Sequence, residues 1–271
     1  MLDDLCDFAE RHRRLFVLSG AGISTDSGIP GYRDADGRWQ RSPPILLADF
    51  LRSESARQRY WARSMGGWPI VANARPNSAH DALARLEVAG HVGQVVTQNV
   101  DGLHQRAGSS NVIELHGNIH GVVCLDCGAR HPRAAIQRAL EAQNAPPQDA
   151  GAAPDGDADL QCEDLAAFRV PQCPRCNGSL KPDVVFFGEG VPRERVDAAS
   201  RALVEADAMM VIGSSLMVYS GYRFCELAIQ MKKPIAAVNL GRTRADPLVA
   251  LKVELRCTEA LAAIGRRLGI V

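Results

Sequence analysis

The sequence carries no excess charge of either sign: 31 Lys and Arg stand against 31 Asp and Glu, for a formal net charge of zero. Adhesion to nucleic acid or an anionic membrane through a whole face relies on a basic excess, so neither partner is expected. No apolar run approaches the roughly 20 residues needed to span a bilayer. The opening residues, Met1-Leu-Asp-Asp-Leu-Cys-Asp7, have neither a basic n-region nor an apolar h-region, so no secretory signal is visible. They are also unlike an Arg-rich, acid-poor presequence, and a cytoplasmic location is expected. No internal repeat is apparent. The 271 residues, 46% hydrophobic and 23% charged, suit a folded protein with one large domain or a core plus a smaller module.

Eight cysteines are present. In an exported chain they would suggest disulfides, but a reducing compartment argues otherwise. Cys124-x-x-Cys127 and Cys173-x-x-Cys176 form two tight pairs, while Cys6, Cys162, Cys225 and Cys257 are scattered. Two thiolates three residues apart grip one metal ion from a single turn. Four thiolates without a histidine suggest a closed, tetrahedral structural zinc site with no open coordination position. A redox dithiol is the alternative for either pair alone. Cys162 lacks a near partner and is a poorer ligand candidate.

Along the chain, Leu2, Leu5 and Phe8 have helical spacing, and Leu15–Leu18 reads as a buried strand. Residues from about 41 to 76, which hold Trp61 and Trp68, are expected to form a helical insertion. A helix opens at Pro76-Asn77-Ser78 and stops near Gly90. Strands are expected at Gln94–Thr97, Val112–Leu115, Asp183–Phe187, Ala208–Ile212 and Pro234–Val238, with helices at 193–206, 221–232 and 258–268. Residues 143–159 are rich in Ala, Pro, Asp and Gly without apolar period and read as a long exposed loop. Short apolar strands alternating with helices make a parallel sheet covered on both faces. The expected fold is therefore α/β, a Rossmann-like doubly wound parallel sheet with a smaller zinc-binding module and a helical insertion. Residues 1–120 and 181–271 would form the core and 121–180 the module.

Gly20-Ala-Gly22 follows a strand, as a dinucleotide pyrophosphate requires, and a following helix N-terminus would add N–H donors. The third glycine of the usual fingerprint is missing. Three further strand ends carry polar or glycine groups: Gln98-Asn99-Val100-Asp101, Gly213-Ser214-Ser215 and Asn239-Leu240-Gly241. Ligands in open α/β sheets sit beyond the carboxyl ends of strands, so four such termini favour a nucleotide site over plain turns. His116 directly follows a strand at the junction with the cysteine module. A histidine titrates near neutrality and suits a proton acceptor for a hydroxyl; an ordinary core histidine is the competing reading. His80, His104 and His120 are expected to be structural.

The ordered set Gly20-Ala-Gly-Ile-Ser-Thr-Asp-Ser-Gly-Ile-Pro-Gly-Tyr-Arg33, Thr97-Gln-Asn-Val-Asp-Gly-Leu-His104, Glu114-Leu-His-Gly117, both cysteine pairs, Lys181-Pro-Asp-Val-Val-Phe-Phe-Gly-Glu189 and Gly213-Ser-Ser215 resembles the sirtuin family over nearly the whole chain. Arg57–Arg63 and Val218–Phe224 resemble its class II branch, which includes the mitochondrial lipoamidase-type sirtuin. The resemblance implies an NAD-dependent protein lysine deacylase with one structural zinc. NAD, a co-substrate, would bind along Gly20–Gln40, including Ala21, Thr25, Asp26, Tyr32 and Arg33, with Gln98. Gly213, Ser214, Ser215, Asn239, Leu240 and Gly241 would take its adenosine side, with Cys257 near the adenine or, equally, a core thiol. In the implied reaction the acyl oxygen of a modified lysine expels nicotinamide from the ribose, and His116 deprotonates a ribose hydroxyl. Water then releases lysine and O-acyl-ADP-ribose. Asn99 would orient that water and Asp101 would help to position nicotinamide and ribose. Gly31 occupies the position where the family pattern is acidic, so Tyr32 and Arg33 are carried over but no carboxylate role is.

Partners implied are acylated-lysine proteins or peptides, docking as a strand between Lys181–Phe187 and Met217–Tyr219, with Val184, Val185 and Phe186 as one wall. Tyr60-x-x-Arg63 resembles the Tyr-x-x-Arg pair of desuccinylating sirtuins, and positions i and i+3 share a helix face. Two other readings remain: a mono-ADP-ribosyltransferase using the same pocket, and a zinc-containing NAD sensor that binds acyl-lysine with little turnover. Gly31 and the 143–159 loop favour the sensor. His116, Asn99 and Asp101 together favour catalysis, since binding alone needs no base.

Overall fold

The computed structural model describes residues 1–32, 44–145, 165 and 167–270. Arg33, Gln40, Cys162 and most of the 143–159 segment lie outside the described residues. The chain begins with α1 (Leu2–Arg11) and β1 (Leu15–Ser19). Then come α2 (Leu47–Arg52), α3 (Glu54–Asn73), α4 (Ser78–Val88), β2 (Val92–Thr97) and the single turn α5 (Leu103–Arg106). The middle holds β3 (Val112–Glu114), β4 (Gly117–Cys124), β5 (Arg130–Pro132), α6 (Arg133–Gln143) and β6 (Leu180–Val184). The last part alternates: α7 (Arg193–Glu205), β7 (Ala208–Ile212), α8 (Tyr219–Gln230), β8 (Ile235–Val238), β9 (Leu251–Val253) and α9 (Cys257–Arg267).

Six strands form one parallel sheet in the order β3-β2-β1-β7-β8-β9, the doubly wound order that turns back at β1. Every residue of β1 is buried, as a central strand covered on both faces demands. Its alternate side chains serve opposite faces. Leu15 and Val17 pack with Leu5, Leu83, Leu261 and Ile264 of α1, α4 and α9. Phe16 and Leu18 pack with Leu203 and Phe224 of α7 and α8. Helix α4 starts where Asn77 caps it, its side chain accepting from the Ala79 N–H at 2.9 Å, while His80 Nδ1 accepts from the Asn77 N–H at 3.3 Å.

A second, three-stranded antiparallel sheet, β5-β4-β6, shares a core with α2, α3 and α6 built on Phe50, Trp61, Ile119, Leu140 and Leu180. The helical insertion thus consists of α2 and α3. Two expectations are corrected. The strand expected at 183–187 lies at 180–184 and belongs to the small sheet, because β6 pairs with β4 across Gly117–Cys124. No regular α-helix follows Gly20-Ala-Gly22 among the described residues: two 3₁₀ turns, Ala21–Ile23 and Thr25–Ser27, take its place. Helix α6 and strand β9 have no clear signal in the sequence pattern. α6 is bounded by the low-complexity segment, and β9 has only three residues. No helix among the described residues is long and apolar enough to cross a membrane.

Candidate active site

The glycine turn after β1 and the Gly213 turn after β7 interlock. The Gly20 N–H donates to the Ile212 carbonyl at 3.0 Å and the Gly22 N–H to the Gly213 carbonyl at 2.8 Å. A Cβ on Gly22 would fall 2.9 Å from the Gly213 Cα, and Gly213 itself has φ +61, so neither position tolerates a side chain without displacing backbone. The glycines therefore serve loop-to-loop approach as well as any ligand.

Above these turns opens a cavity of about 830 Å³, within the roughly 300–1,000 Å³ typical of ligand sites. Its floor comes from the carboxyl ends of β1, β2, β7 and β8: Gly20, Ala21, Gly22, Gln98, Asn99, Gly213, Ser214, Ser215, Asn239 and Leu240 all line it. Thr25, Asp26, Tyr32 and Cys257 line it as well. Gly241 is not among the lining residues. The two Asp26 oxygens accept from Arg256 Nη1 at 3.0 Å and Thr258 Oγ1 at 2.8 Å, pinning this turn to α9. The Cys257 thiol, pushed up to about 12 by burial, lies 3.7 Å from the Gly22 carbonyl. This floor of glycine, amide and hydroxyl groups at the point where strand order reverses fits a dinucleotide.

His116 lines the same cavity. Gly117 follows it with φ +89, a turn in which a Cβ would collide with the Asp183 carbonyl. The chain thereby leaves the large sheet for the small one immediately after the histidine. The Nδ1 of His116 is 2.9 Å from the Gln98 carbonyl, which can only accept, so Nδ1 carries the proton and Nε2 is left as acceptor. Burial pushes this imidazole down to about 4, with the Gln98 bond opposing and Arg195 assisting; it is neutral at physiological pH.

Asn99 Nδ2 donates to the Gly20 carbonyl and to Ser24 Oγ, both at 3.1 Å. Ser24 donates in turn to Asp101 Oδ2 at 2.8 Å, and the other Asp101 oxygen accepts from the Leu103 N–H at 2.9 Å. Asp101 is 2% exposed and does not line the cavity; it acts on Asn99 through Ser24, a residue that sequence reasoning had not singled out. The opposite wall is the segment after β6. Val184, Val185 and Phe186 line the cavity, the Val185 N–H donates to the His116 carbonyl at 2.7 Å, and Lys181 Nζ braces the turn through the Val184 carbonyl at 2.6 Å and Glu189 at 3.0 Å. Tyr60 also reaches the cavity, its ring against Phe50 and Phe186. Arg63 is buried and is not among the lining residues.

The four paired cysteines converge at the end of the small sheet, with all four Sγ atoms within 4.8 Å of one another. Cys124 and Cys176 are 3.5 Å apart and Cys127 and Cys173 are 3.8 Å apart. A Zn–S distance of about 2.3 Å makes tetrahedron edges of about 3.8 Å, so the set fits one zinc ion. The Cys127 N–H lies 3.5 Å from the Cys124 sulfur and points at it, as it would at a metal-bound thiolate.

A doubly wound sheet with a dinucleotide-sized cleft, a histidine in its wall and a four-cysteine module defines a class of zinc-stapled nucleotide-binding α/β proteins. Within that class the chain belongs to the Sir2 family, whose profile matches residues 20–220. It is 58% identical over 260 residues, covering 95% of both chains, to NAD-dependent protein deacetylase 2 of Bradyrhizobium diazoefficiens. It is 48% identical over 270 residues to the mitochondrial NAD-dependent protein lipoamidase sirtuin-4 of Bos taurus, covering 97% of this chain and 85% of that one. Among solved structures it resembles a Sir2–p53 peptide–NAD+ complex, with TM-score 0.81 and 31% identity over the whole of both chains.

Proposed function

We infer that this protein is an NAD-dependent protein lysine deacylase acting on acylated-lysine proteins or peptides. The observation that carries it is the state of His116: a neutral imidazole in the cleft wall, with Nδ1 committed to the Gln98 carbonyl and Nε2 presented as acceptor. NAD, when bound, would supply an electrophilic ribose carbon and a nicotinamide leaving group, and transfer of the acyl group from lysine to that ribose, with one water consumed, would give nicotinamide, free lysine and O-acyl-ADP-ribose. His116 takes the proton of a ribose hydroxyl at Nε2, a contribution of roughly 10²–10⁴-fold. Asn99, held by Gly20 and Ser24, orients water at the reacting centre. Asp101 fixes Ser24 and so works at one remove. Val184–Phe186, tied to the His116 carbonyl, forms the wall against which a peptide backbone adds as a strand.

The ring of Tyr60, packed on Phe50 and Phe186, supports an apolar acyl subsite. The test is mass spectrometry of NAD with a panel of acyl-lysine peptides. Nicotinamide together with O-acyl-ADP-ribose is expected. ADP-ribose on a protein side chain would identify a transferase instead, and binding without either product a sensor.

A further inference from the structure

His116 is held at both nitrogens. Nδ1–H donates to the Gln98 carbonyl at 2.9 Å, and Nε2 is 2.7 Å from Ser220 Oγ. Because Nε2 is the bare nitrogen of a neutral ring, the Ser220 hydroxyl must donate to it. Ser220 is the second residue of α8. A serine in a first turn ordinarily turns its oxygen to the unpaired N–H groups of its own helix; this one turns across the cleft. Its neighbour explains how the helix comes so close. A Cβ on Gly221 would stand 2.5 Å from Gln98 Oε1, so α8 is pressed onto the same residue whose carbonyl fixes His116. Gln98 is itself anchored, its Nε2 donating to Ser214 Oγ at 2.8 Å. Ser220 and His116 both line the cavity, and the lone pair that Ser220 occupies is the one a ribose hydroxyl needs.

We propose that Ser220 is a positioning residue for the base: it holds the His116 ring with Nε2 aimed into the cleft and yields that nitrogen to the ribose hydroxyl when NAD binds. When Nε2 takes the sugar's proton it becomes a donor, and the Ser220 oxygen, rotating its own hydrogen away, accepts from it. One hydroxyl thus serves both protonation states without moving the helix. This inference rests on the reading of His116 as the base of a deacylase.

The test uses the full chain with NAD and an acetyl-lysine peptide. Ser220→Ala is expected to lower kcat about tenfold, as a loosened base should, without raising KM for NAD, because the competing donor is gone. Ser220→Thr keeps the hydroxyl and should recover most of that loss. Imidazole ¹⁵N NMR of the NAD-free protein should show the Nδ1-protonated tautomer in both proteins, because the Gln98 carbonyl fixes it, with the resonance of the bare Nε2 shifted in Ser220→Ala because that nitrogen loses its donor. An unchanged kcat in Ser220→Ala, an equal loss in Ser220→Thr, or an unshifted Nε2 resonance in Ser220→Ala would each overturn the proposal. A wild-type protein that makes no O-acyl-ADP-ribose from any acyl peptide would sink the deacylase reading instead, while the NMR result would still report on Ser220.

Discussion

The rings of His80 and His104 meet edge to face beneath the nucleotide turn, with centroids 5.0 Å apart, and both are essentially excluded from solvent. His104 Nε2 lies 2.8 Å from Ser19 Oγ, which bonds in turn to Thr97 Oγ1 at 2.9 Å. The pair ties the ends of β1 and β2 to α4 and α5, just behind Gly20.

Burial, followed by the neighbouring His80, pushes His104 down to about 3, and burial lowers His80 as well. The unfolded chain takes up these protons below about 6.5, whereas the folded protein resists them. Their stabilisation is therefore complete above about pH 6.5 and is lost as pH falls toward 3. Calorimetry should show the melting temperature dropping steadily from pH 7 to pH 4, and His104→Gln should flatten that drop.

His116→Ala should reduce deacylation by roughly 10²–10⁴-fold while NAD binding persists. Since the wild-type imidazole titrates at about 4, kcat/KM should stay level from pH 7.5 to pH 5.5. A half-loss near pH 6.5, the ordinary histidine value, would show that the base is not held neutral by burial.

Gly22→Ala places a methyl group against the Gly213 backbone. The two turns must part, at a cost of about 1–3 kcal/mol, and the floor of the cleft deforms. Isothermal titration should show NAD affinity reduced by more than tenfold, with the fold retained by circular dichroism.

Elemental analysis should find one zinc per chain, with a stoichiometry that falls to nothing in Cys173→Ser. Chelation should lower the melting temperature and expose the α3–α6 core, read as increased dye binding, because β4, β5 and β6 lose the staple at their end. Zinc returned to chelated wild type should restore both.

Tyr60→Ala should shift preference toward longer acyl chains and cost about 3–5 kcal/mol in stability as a buried aromatic is removed. Arg63→Met should leave the ratio of succinyl to acetyl turnover unchanged. A selective loss on succinyl peptides would instead bring Arg63 to the acyl group.

Most of the large sheet was legible because its strands are short, apolar and bounded by glycine or polar residues, as at Leu15–Ser19 and Ala208–Ile212. The small sheet was not. Lys181, Pro182 and Asp183 interrupt the apolar pattern of β6, and the apolar run continues past Val184, the last residue of the strand, into Val185–Phe187. The floor of the cleft could be read from strand ends, since a parallel sheet sends them all to one edge. Ser24 was passed over because its work, joining Asn99 to Asp101, lies in hydrogen bonds across more than 70 residues that spacing along the chain does not encode.

Local chemistry alone determined that this protein has a doubly wound parallel core, a four-thiolate module and a histidine beside a glycine-rich cleft, because periodicity, cysteine spacing and turn residues are short-range properties. Only the tertiary structure decided which nitrogen of His116 faces the cleft, that Ser220 meets it from 104 residues away, that Asp101 stands behind the wall, and that Tyr60 reaches the cavity while Arg63 does not. Those outcomes depend on how separate elements are brought together and on which hydrogen-bond partners burial leaves available, and neither is carried by any stretch of chain taken by itself.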